Sequence, residues 1–160
     1  MTLQTFEEEV LPLKNKLFRF AFSILNDHHR AKDVVQETLL KVWEKRDKLD
    51  EIRNVEAWCM TIVRNMARDG LKAKNSQILD LNQHLPSVAN NDWPDKAAQY
   101  DELLVLLGKI VKQLPSKQKE TFHMREIEGY SYQEISEISG YSISDIKVSI
   151  FRARKQIRAN

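Results

Sequence analysis

The densest chemistry in the chain is cationic. "SISDIKVSIFRARKQIRAN" carries Lys147, Arg152, Arg154, Lys155 and Arg158, with only Asp145 opposing them. Ammonium and guanidinium groups hold phosphates, and a guanidinium also reads a guanine edge through two hydrogen bonds. On a helix wheel of ~100° per residue, Ile143, Ile146, Ile150, Ala153 and Ile157 share one face and are expected to bury. The opposite face holds Ser144, Asp145, Val148, Ser149, Arg152, Lys155 and Gln156, with Lys147, Phe151 and Arg154 on the flanks. An isolated charged helix face is as often simply solvated. Here Ser131 and Glu134 form an S-x-x-E capping box that opens a shorter helix just before it. Gly140 then turns the chain, and Ser142 with Asp145 resembles a second box. Two capped helices joined by a glycine turn, the second basic, make a helix-turn-helix pattern, which docks on duplex DNA.

A second cationic stripe lies earlier. Between Asn54 and about Lys74, Val55, Cys59, Ile62, Val63 and Met66 form an apolar face. Thr61, Arg64, Asn65, Arg68 and Lys72 form a mostly basic stripe opposite, with Trp58 at its edge. A ring beside basic groups can stack on an unpaired base while the cations hold the backbone. The commoner use of such a Trp is packing, and both uses stay open on the pattern. The preceding segment, "AKDVVQETLLKVWEK", has the opposite character. Val35, Leu39, Val42 and Trp43 suit a core face, whereas Asp33, Gln36, Glu37, Leu40 and Glu44 lie on the other side. An acidic face around an exposed leucine repels DNA and suits a basic protein partner. A solvated face with one stray leucine is the alternative.

No catalytic constellation accompanies these faces. No P-loop, G-x-S-x-G or paired-carboxylate pattern occurs. His28 and His29 are adjacent and diverge on a helix, and His84 and His123 lack partners at ligand spacing, so no metal and no cofactor is expected. Cys59 is the only cysteine, which excludes a disulfide within the chain and fits a reducing compartment. The start, MTLQTFEEEV, does not read as a signal peptide, and no apolar run approaches the ~20 residues of a membrane span. A cytoplasmic protein without membrane insertion is expected. Net charge is only +2, from 25 basic and 23 acidic residues, so nucleic-acid binding has to come from local clustering.

The elements that position these groups are helices. Only four Gly and four Pro in 160 residues argue against a turn-rich β fold. "FEEEVLPLKNKLFRFAFSIL" places Leu13, Leu17, Phe20 and Ile24 on one face, with Pro12 in a first turn or at a kink. "NDHH" breaks the pattern, Asn26 or Asp27 offers a cap, and a second helix runs from about Arg30 to Leu49. Asn54 caps the third. Residues 75–98 lose periodicity and gather Asn, Asp, Ser and two prolines, as a flexible linker does. "DELLVLLGKIVKQL" then forms an apolar helix that ends before Pro115, and Ser116 caps another that stops at Gly129. The expectation is an all-α chain of two small helical domains, 1–74 and 99–160, joined by the linker. The residues alone leave open a dimeric regulator on a palindromic site, or an interaction module that ignores DNA.

At this point two segments resemble a known family. "DVVQETLLKVW" resembles the core-polymerase-binding helix of bacterial sigma factors. "LPSKQKETFHMREIEGYSYQEISEISGYSISDIKVSIFRARKQI" resembles the promoter −35-binding domain of the extracytoplasmic-function (ECF) sigma factors of the sigma-70 type. Each motif is moderately specific; both in this order, in so short a chain, are strongly so. The resemblance implies a transcription initiation factor, not an enzyme, with a region 2-like domain over 1–74 and a region 4-like domain over 99–160. Asp33, Gln36, Glu37 and Leu40 would then face the coiled coil of the polymerase β′ clamp. Trp58, Arg64, Asn65, Arg68, Asp69 and Lys72 would open and read the −10 element. Ser144, Lys147, Val148, Ser149, Phe151, Arg152 and Lys155 would meet the −35 element, with the β flap of polymerase nearby. An anti-sigma protein is a further implied partner. One departure concerns "DIKVS", where the family often has Thr-Val-Lys-Ser-Arg. It removes an arginine at Ser149 and introduces Asp145 and Val148, so the −35 sequence read is expected to differ. Leu39 in place of a frequent Phe is a mild core change.

Overall fold

Pro12 decides where the first helix stops. A computed structural model of the chain describes residues 3–76, 109 and 111–159, without the side chains of 73–76. Helix α1 spans Leu3–Glu9. A 3-10 turn follows at Leu11–Leu13, with Pro12 in its opening turn, where its missing N–H costs nothing, and α2 then runs Lys14–Leu25. Asn26 ends α2 in the left-handed region at φ 53°, its N–H donating to the Phe22 carbonyl at 2.7 Å. Asp27 caps α3, His28–Glu44, by accepting the Arg30 N–H at 3.1 Å. That helix was expected to last to Leu49. It stops at Glu44 because Arg46 folds back, its Nη1 donating to the Trp43 carbonyl at 3.0 Å and its guanidinium lying 4.2 Å from the Trp43 ring centroid. A 3-10 turn, Arg46–Glu51, leads to Asn54, whose Oδ1 accepts the Ala57 N–H at 3.0 Å and caps α4, Val55–Ser76.

The chain divides into two compact units, Met1–Pro94 and Asp95–Asn160. In the first, α2, α3 and α4 pack together. Leu17, Phe20 and Ala21 of α2 meet Ala31, Val35 and Val42 of α3 and Cys59, Met60, Val63 and Ala67 of α4, all fully buried. Polar ties fix the register of the bundle. The Arg30 Nη2 donates to the Gly70 carbonyl at 2.7 Å, and Lys16 pairs with Glu56 at 3.3 Å. Burial, with Glu56 nearby, pushes the Cys59 thiol up to about 12. Its reactive thiolate is therefore suppressed in the folded chain. Alkylation at pH 8 is expected to proceed slowly in buffer and readily in denaturant, as read by mass shift; equal rates would contradict this burial. The sign is destabilising at high pH: stability is full below 9.0, the ordinary thiol value, and declines as pH rises towards 12.

In the second unit, α5 spans Ser116–Phe122, α6 Tyr132–Ser139 and α7 Ile143–Ala159. Ser116 does not cap α5; it is the first helical residue, and the cap position is Pro115, whose carbonyl accepts the Lys119 N–H at 2.9 Å. Nor does α5 continue evenly to Gly129. It widens into a π-helical turn over His123–Ile127, where the Glu128 N–H reaches back to the His123 carbonyl at 3.1 Å. Ser131 and Glu134 form the full capping box at 3.1 and 3.0 Å, and Gly140 closes α6 at φ 79° with its N–H on the Ser136 carbonyl. Val111, Leu114, Phe122 and Ala153 form a buried cluster against which Ile157 packs. Among the described residues there is no strand and no helix long and apolar enough to cross a membrane. The fold class is all-α. Most of the expected linker, 75–98, and most of the apolar helix expected over 101–114 lie outside the described residues.

Candidate functional site

Three helix faces carry the candidate chemistry. On α3, Ala31, Val35, Thr38 and Val42 point inward at helical spacing. The Thr38 hydroxyl is satisfied within this face by the Val34 carbonyl at 2.8 Å. Asp33, Gln36, Glu37 and Glu44 are exposed on the other side, and among them Leu40 is 58% exposed. Leu39 and Trp43 are half-buried, and Trp43 is held edge-on by Phe6 at 5.2 Å. The structure thus brings Asp33, Gln36, Glu37 and Leu40 to one open surface, an apolar point within carboxylates and an amide.

On α4 the expected stripe requires a correction. Arg64 is 6% exposed and does not belong to the outer face. The buried stripe runs Cys59, Met60, Val63, Arg64 and Ala67, which places its centre about one residue away from the face chosen by apolar type alone. Ile62, Met66 and Val55 are only half-buried. Asn65, Asp69 and Lys72 are exposed, and Trp58, Thr61 and Arg68 are half-buried. Spacings of three and four residues from Trp58 through Thr61, Asn65, Arg68 and Lys72 keep these on a common face. Thr61 is tied to the Ala57 carbonyl at 2.8 Å, so its hydroxyl proton is spent within the helix.

On α7 the inward stripe is Ile146, Ser149, Ile150 and Ala153. Ser149, expected on the outer face, is 6% exposed because it occupies a stripe position between two isoleucines. Ile143, expected to bury, is exposed instead; it is the first helical residue, and its side chain projects back beyond the core. Ser144, Lys147, Val148, Phe151, Arg152 and Lys155 are all exposed. Ser142 caps the helix through the Asp145 N–H at 3.1 Å. The Asp145 carboxylate faces Lys117 of α5 at 3.4 Å, which offsets its negative charge beside the cationic face. Arg154 is engaged by Glu126 of the π-helical turn, through both Nε and Nη2, and is thereby drawn away from that face.

Several supporting residues were not legible in the sequence. The Tyr132 ring lies beneath two cations, the Arg125 guanidinium at 4.3 Å and the Lys147 ammonium at 5.4 Å from its centroid. Tyr141 donates to the buried Glu120 at 2.9 Å and carries Lys117 over its ring at 4.6 Å. Buried His123 meets Glu128 at 2.8 Å. The partners of Tyr132 and Tyr141 lie on different elements, and His123 and Glu128 stand five residues apart across the π-helical turn, so no α-helical periodicity announces them.

Two family models match the chain: sigma-70 region 2 over residues 10–77, and sigma-70 region 4 over residues 104–157. The ECF RNA polymerase sigma-E factor of Haemophilus influenzae is 30% identical over 137 residues, covering 78% of this chain and 71% of that protein. The chain belongs to the ECF family of RNA polymerase sigma factors. The ECF RNA polymerase sigma factor EcfG of Rhodopseudomonas palustris is also similar, 28% identical over 95% of this sigma factor and 82% of its own length. Among solved structures, the sigma factor RpoE of Bartonella quintana, crystallised with the anti-sigma factor NepR, superposes with a TM-score of 0.80 at 27% identity, covering 98% of this chain and 96% of that one. This sigma factor accordingly binds core RNA polymerase and directs promoter-specific initiation. It has no catalysis of its own; phosphodiester chemistry belongs to polymerase.

Proposed function

We propose that the three exposed faces divide the work of this sigma factor. Asp33, Gln36, Glu37 and Leu40 bind the coiled coil of the polymerase β′ clamp. Trp58, Asn65, Arg68, Asp69 and Lys72 open and hold the −10 element, with buried Arg64 supporting α4 from within. Extruding a base costs a few kcal/mol, and a stacking ring with adjacent polar groups is what offsets it. The outer face of α7 enters the −35 major groove through Ser144, Lys147, Val148, Phe151, Arg152 and Lys155, in a unit that also lies against the β flap. Residues 1–74 and 99–160 act as the two functional domains, with 75–98 joining them. The work takes place in the cytoplasm, where polymerase is.

The observation that carries this assignment is the segregation of chemistry. Acid and an open leucine lie together on α3, whereas cations lie together on α7. One surface suits a basic protein and the other suits a polyanion. An anti-sigma protein that covers these surfaces is a further partner, supported by the similar Bartonella quintana protein having been crystallised with one. The test is reconstitution. The full chain is mixed with core polymerase, capture is measured, and run-off transcription is read on promoters mapped by transcript 5′ ends after overexpression. Capture and a transcript dependent on the added chain are expected; failure to bind core polymerase would refute the assignment.

A further inference from the structure

The middle of the α7 outer face is apolar. Val148 is 45% exposed and Phe151 60% exposed, one helical turn apart and therefore neighbours on the surface. Neither is held by the core of its own unit. Cations surround them: Lys147 precedes, Arg152 follows and Lys155 lies a turn beyond, all exposed. Two of the polar groups beside them are engaged elsewhere. Ser149 is turned inward, and Asp145 is paired with Lys117. Flanking cations select a polyanion as the occupant, and the base edges of the major groove present one apolar group, the C5 methyl of thymine.

We propose that Val148, backed by Phe151, reads a thymine methyl in the −35 element and so fixes an A·T pair there, between the contacts made by Lys147 and Arg152. This rests on α7 entering the −35 major groove. It assigns a base preference to a residue where relatives often carry serine.

Deoxyuridine removes only that methyl from thymidine. Holoenzyme reconstituted from the full chain and core polymerase is titrated with promoter fragments in which each −35 thymine, on either strand, is replaced in turn by deoxyuridine. One position is expected to lose about fourfold in affinity, the worth of one buried methyl. Val148→Ser is expected to lose a similar factor on thymine DNA and to stop distinguishing uridine at that position. Val148 is exposed, so this variant leaves the core untouched. The proposal is overturned if no position responds, if the variant keeps the full uridine penalty, or if the −35 element holds no essential A·T pair. Scrambling the −35 element separates the two levels. Unchanged affinity after scrambling refutes −35 recognition by α7 itself, whereas a loss on scrambling with no uridine response refutes only the methyl contact.

Discussion

Leu40→Asp is expected to weaken binding to core polymerase by at least about 2 kcal/mol, roughly thirtyfold, without unfolding the chain. The argument starts from exposure. Leu40 is 58% open to solvent on α3, so its replacement removes no core contact. The core of that helix is Ala31, Val35, Thr38 and Val42, on the opposite side. On the proposed interface, a leucine at the centre of an acidic patch would gain from association by burying its side chain, while Asp33 and Glu37 around it would meet the partner's cations. Aspartate forfeits the apolar burial and desolvates a carboxylate on docking. Leu40→Ala is expected to lose less, because it removes the burial and adds no charge. Anisotropy titration of labelled protein with core polymerase measures the loss, and circular dichroism with thermal melting monitors the fold. An unchanged dissociation constant for Leu40→Asp would remove α3 from the polymerase interface.

The helical architecture was legible because its signals are local. Asp27, Asn54, Ser131 and Gly140 act within one turn of where they stand, and each cap forms as the residue types predict. Helix faces were legible less finely. A wheel centred on apolar residues puts Arg64 and Ser149 outside. Each nevertheless occupies an inward position, at the spacing that places Met60, Val63 and Ala67 inside on α4 and Ile146, Ile150 and Ala153 inside on α7. Geometry, not side-chain type, decides which positions face the core, and a polar residue at such a position is carried in with the stripe. The end of α3 failed for another reason. Arg46 satisfies the Trp43 carbonyl, and an arginine after a tryptophan gives no warning that it will fold back. The widening of α5 at His123 goes with a buried contact between His123 and Glu128, five residues apart, a spacing that α-helical periodicity does not encode.

The same geometry separates the arginines of α7, which composition treats alike. Arg154 lies beside Glu126 and is already paired, whereas Arg152 is exposed on the outer face with Lys147 and Lys155. Arg152→Ala is therefore expected to cost about 1–3 kcal/mol in promoter binding if it reads a base edge, and to relax the preference at one −35 position. Arg154→Ala removes an exposed ion pair, which typically contributes only about 0–1 kcal/mol to stability, and should leave sequence preference unchanged. Binding of reconstituted holoenzyme to a panel of single-base −35 variants distinguishes these outcomes. A loss for Arg152→Ala concentrated at one base pair identifies a base contact. An equal loss on every sequence, with a salt slope reduced by about one, identifies a phosphate contact instead. In that case base discrimination falls to Lys147 and to the apolar pair, Val148 and Phe151. The −35 preference would then rest more on thymine methyls than on guanine edges, and uridine substitution would have a larger share of the total discrimination.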